Sequence, residues 1–181
     1  TTGPPKGVML SNDNIISNVH SIRKRFYDLP PTTCVNILPW AHIYSQTCEL
    51  YYNMLYNNKI ALCTSREDFT TQCRQIQPNM LYLVPRVLEL IKDKVSRFDQ
   101  YSMFQMIVPH ILKYLFGKKL KYIFTGGAKL NEETKSFYMK YGYIICEGYG
   151  CTETSPMISV NHFIAPRDIN SIGKVLDNID V

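Results

Sequence analysis

Short apolar runs alternate along this chain with longer amphipathic stretches, and this alternation constrains the fold more than any other feature. Cys34–Leu38 and Tyr143–Cys146 have the length and composition of buried strands, and Lys59–Cys63, Met80–Val84 and Lys121–Phe124 are strand-like. Between them, helical spacing predicts helices over Asn12–Arg25, Ile43–Leu55, Glu67–Ile76, from Pro85 onward, over Tyr101–Phe116 and over Asn131–Tyr141. Ser11 is placed to cap the first helix, whose apolar face is Ile15, Ile16, Val19 and Ile22, extended by Phe26. In Ile43–Leu55 the inward set is Leu50, Tyr51, Met54 and Leu55. Glu147–Gly150 breaks the last buried run, and Asp180-Val181 ends the chain in strand-like sequence. Strands that are apolar on both faces and linked by helices require crossover connections. The expected fold is therefore α/β, a mostly parallel sheet with helices on both faces.

The 181 residues, 45% of them hydrophobic, suffice for one domain or one piece of a larger one. Twenty Lys and Arg against fifteen Asp and Glu leave a net charge of +5, too mild an excess to imply a polyanion track by itself; ATP suits it as well as nucleic acid. The most lipid-like segment, Met103–Phe116, is interrupted by Gln105, Pro109, His110 and Lys113, which argues against a membrane span. Six cysteines without CxxC spacing read as free thiols in a reducing compartment. No targeting segment is visible, and both ends read as cut.

In a sheet of this kind ligands sit beyond the carboxyl ends of the strands, and three Gly-containing segments compete for that place. Thr1-Thr2-Gly3-Pro4-Pro5-Lys6-Gly7 combines hydroxyls, a pliable backbone and a cation, the inventory for a polyphosphate, and it also reads as a plain turn. Thr125-Gly126-Gly127-Ala128 follows a strand and either exposes backbone donors or has glycines for steric reasons. Glu147-Gly148-Tyr149-Gly150-Cys151-Thr152-Glu153-Thr154 brings a flat ring, a hydroxyl and a carboxylate together, or forms a solvated turn. His42, after Leu38-Pro39-Trp40-Ala41, is either a structural histidine or a group beside a reacting carboxylate.

Taken in order, TTGPPKGV, LPWAH, TGGAKL, EGYGCTET and SIGKV resemble the adenylate-forming (AMP-binding) superfamily along the whole chain. The stretches Leu38–Ser45 and Leu83–Glu89 are most similar to fatty, especially long-chain, acyl-CoA synthetases. The resemblance implies that residues 1–181 are part of the large N-terminal adenylation domain. In the parent, a fatty acid would be activated with ATP to an acyl-adenylate and then an acyl-CoA. By the same resemblance Thr1, Thr2, Gly3 and Lys6 hold the leaving phosphates, Gly127 and Ala128 border adenine, and Tyr149, between Gly148 and Gly150, stacks on it. Thr152 meets the α-phosphate, Glu153 is the Mg²⁺ ligand, and His42 lies near the acyl carboxylate, which makes His42, Thr152 and Glu153 the catalytic candidates.

Fatty acid, ATP and coenzyme A are the implied partners, with no nucleic acid. A cytoplasmic location, or peripheral attachment to an intracellular membrane, follows from the resemblance. One further Ser/Thr-Gly pair is expected before Thr1, and a ribose-binding Asp, a hinge and a C-terminal domain with a catalytic Lys after Val181. Residues 1–181 alone are therefore expected to be inactive. Gln46 stands where one long-chain type carries a gating Trp, which leaves chain length open. Two other readings stay open: an adenylation domain for a different carboxylic acid, and a noncatalytic nucleotide-binding module.

Overall fold

The structure is a computed structural model that describes residues 7–65, 67–99 and 106–180. Thr1, Thr2, Gly3 and Lys6 lie outside the described residues, as do Tyr101–Gln105 and Val181. The elements run α1 (Asn12–Arg25), β1 (Thr33–Asn36), a π-helix (Ser45–Tyr51) passing into α2 (Tyr52–Leu55), β2 (Lys59–Leu62), α3 (Phe69–Ile76), β3 (Met80–Leu83), α4 (Pro85–Asp99) and α5 (Val108–Phe116). They continue with β4 (Tyr122–Thr125), α6 (Glu132–Lys140), β5 (Ile144–Gly150), a 3₁₀ turn (Thr152–Thr154), β6 (Met157–Val160) and β7 (Lys174–Val175).

β3, β4 and β5 pair in parallel, as do β1 and β2, while β6 and β7 add antiparallel strands beyond β5. The expected α/β layering is present, with a mixed rather than purely parallel edge. Asn79, just ahead of β3, joins the two sheets. Its Oδ1 accepts from the Thr33 N–H at 2.8 Å, its own N–H donates to the Thr33 carbonyl at 3.0 Å, and its Nδ2 donates to the Pro31 carbonyl at 3.1 Å.

Period-2 alternation divides the core between the two faces of the sheet. Leu81, Leu83, Ile123 and Ile145 point to a layer formed by α3, α4, α5 and α6, where Leu88, Leu112, Phe116 and Tyr138 pack. Met80, Tyr82, Tyr122, Phe124 and Cys146 point the other way, against Val19, Ile22 and Phe26 of α1 and Cys48 and Tyr52 of the π/α2 segment. Helices therefore cover both faces, which is why β3 and β4 are buried at every residue. Ser11 caps α1 as expected: its Oγ accepts from the Asn14 N–H, and Asn14 Oδ1 accepts from the Ser11 N–H.

Four expectations are corrected. Ile43–Leu55 is largely π-helical, and the wider turn re-phases its faces, so Met54 and Leu55 are 67% and 52% exposed while Glu49 and Asn53 are buried. Ile16, expected on the inward face of α1, is exposed. The run ending at Cys146 does not break there: β5 continues through Gly150 because Gly148 and Tyr149 pair with Val160 and Ser159 of β6. Asp180 is not in a strand, and the last described strand is β7. All six cysteines are free. Among the described residues no helix is long and apolar enough to cross a membrane.

Asn79→Ala removes an acceptor from a partly buried N–H and is expected to destabilise the chain by about 1–3 kcal/mol. Urea denaturation checks this; an unchanged midpoint would show that the Asn79 side chain is dispensable to the junction of the two sheets.

Candidate functional site

β4 and β5 are in parallel register, with Thr125 opposite Glu147, so the segments that follow them emerge side by side at one edge. The Gly126-Gly127-Ala128 turn and the Gly148-Tyr149-Gly150 end of β5 face each other there across a cleft, with Ile43, Tyr44, Cys151, Thr152, Pro156 and Met157 on one side. On the other side the cleft continues along Ala128 and Lys129 to Asn170 and Ile172. Gly127 has φ +84°, a conformation that favours glycine, and a Cβ there would meet nothing within 4 Å, so the turn needs this residue and keeps open space beside it. Gly150 is required for the opposite reason: a Cβ would collide with the Pro156 carbonyl of the returning chain. The Tyr149 ring, 54% exposed, stands on the cleft wall, where a flat π-system can stack on it.

Thr152 and Glu153 are both exposed on the 3₁₀ turn after β5, and Thr152 lines the cleft. Their presentation depends on residues that carry no chemistry. The Thr154 hydroxyl lies 2.6 Å from the Pro156 carbonyl and 3.0 Å from that of Cys151, and accepts from the Cys151 N–H at 3.1 Å, closing the turn on itself. Beneath it, Asn18 of α1 is wholly buried; its Nδ2 donates to the Met157 carbonyl at 2.7 Å and its Oδ1 accepts from the Met157 N–H at 3.3 Å. A helix near the start of the chain thereby fixes the turn that offers Thr152 and Glu153. His42 is exposed and immediately precedes Ile43 and Tyr44, which line the cleft; His42 itself is not among the lining residues.

The opposite wall rests on a buried ion pair. Lys135 Nζ of α6 lies 2.7 Å from Glu147 Oε2, and both side chains are almost fully enclosed. Glu147 Oε1 also accepts from the Leu130 N–H at 2.9 Å, and Lys135 donates to the Ile169 carbonyl at 2.8 Å. One contact group thus ties the loop after β4, the glycine end of β5 and the segment bearing Asn170 and Ile172.

Behind the cleft lies a small apolar cavity lined by residues that include Cys48, Tyr82, Phe124, Tyr44, Gly148 and Met157. The last three line the cleft as well. Near its floor burial pushes the Glu49 carboxyl up to about 7, against hydrogen bonds from Asn36 and Trp40 that pull it down. Among the described residues no three His, Cys, Asp or Glu side chains form a metal-binding group. Thr152 and Glu153 offer the hard oxygen donors that suit Mg²⁺ held largely by phosphate oxygens, and no protein cage is needed for that arrangement.

The profile of the family described as AMP-binding enzyme matches residues 1–181. The chain belongs to that family. It is 23% identical to the long-chain-fatty-acid–CoA ligase heimdall of Drosophila melanogaster, over 99% of this chain and 32% of that protein. Among solved structures it is similar to the N-terminal domain of FACL13 from Mycobacterium tuberculosis, with TM-score 0.73, 17% identity, and coverage of 97% of this chain and 42% of that one. It is also similar to o-succinylbenzoate coenzyme A synthetase (MenE) from Bacillus subtilis in complex with ATP and magnesium, with TM-score 0.72, 18% identity, and coverage of 97% of this chain and 34% of that one. The chain thus spans about a third of the curated relative's length, and at these identities the structural likeness speaks for the fold.

For a member of the AMP-binding family, the structure brings Gly127, Ala128, Gly148, Tyr149, Gly150 and Thr152 to one cleft, with Glu153 on the adjoining turn. The phosphate-loop candidates Thr1, Thr2, Gly3 and Lys6 lie outside the described residues. Sequence reasoning passed over Asn18, Lys135 and Asn170, and met Thr154 and Ile172 only as members of the EGYGCTET and SIGKV motifs. Asn18 did leave a signal, a polar residue beside Val19 on the apolar stripe of α1.

Lys135→Met leaves the Glu147 carboxylate buried without its cation, and breaking such a pair costs about 3–5 kcal/mol. Chemical denaturation is expected to show a loss of that order, and a change under about 0.5 kcal/mol would mean the pair is dispensable to the cleft wall. Glu49 gives a pH signature. Its folded value lies above its unfolded one, so the folded chain holds the proton more tightly and stability declines as pH rises from the ordinary carboxylate range to about 7. The decline attributable to Glu49 is on the order of 3 kcal/mol and should vanish in Glu49→Gln; denaturant midpoints at mildly acidic and mildly alkaline pH test this.

Proposed function

We propose that this chain is the nucleotide-gripping part of an ATP-dependent acid–CoA ligase that activates a fatty acid, first as an acyl-adenylate and then as a coenzyme A thioester. The observation that carries this reading is the junction of two cavities: the cleft and the small apolar cavity behind it share Tyr44, Gly148 and Met157. A nucleotide in the first and an acyl group in the second would meet at those residues, where carboxylate oxygen and α-phosphorus must approach each other.

In the adenylation step a carboxylate oxygen forms a bond to the α-phosphorus while the α–β phosphoanhydride bond breaks and pyrophosphate leaves. Negative charge gathers on phosphoryl oxygens, so stabilising that charge is the main task. Tyr149 stacks on the adenine and the Gly127-Ala128 backbone borders it, which aligns the phosphates along the cleft. The Thr152 hydroxyl donates to an α-phosphate oxygen. Glu153 holds Mg²⁺, whose chemistry when bound is to neutralise charge on the departing pyrophosphate. His42 orients the acid carboxylate, and Thr1, Thr2, Gly3 and Lys6 receive the leaving phosphates. The cytoplasm or the surface of an intracellular membrane is where such an acid would be met.

Likeness to the Drosophila long-chain ligase supports a fatty acid, whereas the MenE enzyme is a synthetase for o-succinylbenzoate. The apolar cavity has a volume of about 10 Å³, room for a single water, so an alkyl chain enters only when Tyr44 or Met157 turns aside. An acid panel in the exchange assay therefore distinguishes an alkyl from an aryl substrate.

Glu153→Gln, in the protein that carries this chain, keeps the size of the side chain and removes its charge. Fatty-acid-dependent ATP–pyrophosphate exchange is expected to fall by about 10²–10³-fold, the usual loss for one group that stabilises transition-state charge. Near-normal exchange would take Glu153 out of this role. Residues 1–181 alone are expected to give no exchange, and robust exchange by them would show that the essential groups all lie within this chain.

A further inference from the structure

Glu49 is a wholly buried carboxyl that the mechanism above does not use. Its side-chain hydrogen bonds come from neutral groups. Oε2 accepts from Asn36 Nδ2 at 2.6 Å and from the Trp40 indole N–H at 3.2 Å, while Oε1 is buried without a hydrogen-bond partner. Cys34 of β1, Tyr44 and Cys48 of its own segment, and Tyr82 of β3 surround it electrostatically, and burial raises all four above their ordinary values, so they remain neutral thiols and phenols. A carboxylate so placed costs stability, and an apolar residue of similar volume would fill the space without that cost.

What Glu49 does with its position is gather a loop. Asn36 ends β1, Trp40 lies midway to the π-helix, and a single oxygen atom bonds both. Asn36 Nδ2 also reaches the Leu38 carbonyl at 2.9 Å. From the far side the Ser45 hydroxyl lies 2.6 Å from the Pro39 carbonyl and 3.0 Å from that of His42, and the His42 N–H donates to the Pro39 carbonyl at 3.0 Å. Asn53 Nδ2 donates to the Glu49 carbonyl at 2.6 Å, and Asn53 Oδ1 accepts from the Thr32 hydroxyl, so the helical segment carrying the carboxylate is itself tied back to the start of β1. The backbone from residue 36 to His42 is thereby shaped around one side chain, and π-helical turns of this kind are frequent at functional sites.

We propose that Glu49 is a positioning residue for acid activation: its carboxylate clamps Asn36 and Trp40 and so sets the loop that runs through His42 into Ile43 and Tyr44 of the cleft. The clamp itself stands on geometry alone, and only its catalytic consequence rests on the proposed function. Glu49 acts through the loop and touches no reacting atom. Its loss is expected to weaken use of the acid while leaving the nucleotide wall formed by Gly127 and Tyr149 unchanged.

Trp40 is the only tryptophan of the chain, so its fluorescence reports on the clamp directly. The emission of the protein that carries this chain, less that of its Trp40→Phe variant, isolates this indole whatever the length of the protein. The wild-type difference spectrum is expected to titrate with one midpoint near neutral pH as the acceptor changes charge. Glu49→Gln keeps an acceptor oxygen and should give a flat titration, while Glu49→Met should shift the emission at every pH.

In acid-dependent exchange, Glu49→Met is expected to lower kcat/KM for the acid by about tenfold or more, with KM for ATP unchanged; Glu49→Gln should recover most of the loss. If Glu49→Met does not fold, Glu49→Gln, which preserves volume, carries the fluorescence arm, and Trp40→Phe, which removes the indole N–H from the clamp, carries the kinetic arm. A Trp40 signal indifferent to pH and to Glu49 would overturn the clamp, and a clamp confirmed by fluorescence with acid kinetics unaltered would overturn the positioning role. Absence of exchange in the wild type would count against the proposed function, and the fluorescence would still decide the clamp.

Discussion

Everything at the candidate site depends on the parallel pairing of β4 with β5. Because Thr125 lies opposite Glu147, the two chains leave the sheet at the same level, and the Gly126 backbone is brought close to the Gly148 carbonyl. Parallel neighbours cannot be joined by a tight turn, so α6 must cross over between them, and this crossover delivers Lys135 to Glu147. β5 then changes allegiance. Its first residues pair in parallel with β4 and its last with antiparallel β6, with a register shift at Tyr149 and Gly150. The cleft lies where one strand passes from the covered sheet to an open edge, and Tyr149 is exposed because the helical layer does not extend that far.

Much of the sheet was legible because two physical periods rarely conflict in this chain. Leu81 and Leu83 face one layer and Met80 and Tyr82 the other, the consequence of alternation in a strand covered on both sides. Ser11 and its helix were legible because capping is local: the partners are three residues apart. The Ile43–Leu55 segment was not, since a π-turn adds a residue per turn without any composition that announces it. Met54 and Leu55 therefore rotate out, and Asn53 and Glu49 rotate in. β6 also escaped sequence reasoning, and β7 was met only within the SIGKV motif. They are short, and their place comes from pairing with a β5 that continues through two glycines, residues that read as a break when only local propensity is considered.

The site divides the same way. Segments that present a ligand surface are contiguous in sequence, so Gly126-Gly127-Ala128 and Gly148–Glu153 could be picked out as motifs. The groups that hold those segments still are scattered. Asn18 acts on Met157 at a separation of 139 residues, and Lys135 on Ile169 at 34, distances at which a single sequence carries no spacing rule. Residue type offered a partial clue, since a buried Asn, Lys or Glu costs free energy unless paired, and one such residue on an apolar stripe is improbable without a partner. Residue type alone does not distinguish the carboxylate expected to face ligand, Glu153, from the two that face protein, Glu147 and Glu49; in the sequence only the family resemblance singled out Glu153. Burial separates them in the structure.

Where those buried polar groups lie has a physical logic. Glu147 with Lys135, Asn18 with Met157, and Glu49 with Asn36 and Trp40 each sit beneath one of the segments that border the cleft. Apolar packing is roughly isotropic: it fixes which face of an element is inward, yet it tolerates small slides along the sheet. Hydrogen bonds at 2.6–2.8 Å do not tolerate such slides, because a displacement of about 1 Å forfeits most of their energy in a site where no solvent can replace them. Reactions in which charge moves between phosphoryl oxygens are sensitive to errors of that size. A chain that spends part of its marginal stability on buried polar anchors under its loops, and leaves the sheet interior to Leu, Ile and Phe, therefore places rigidity at the cleft, and each anchor can be altered there without redesigning the core.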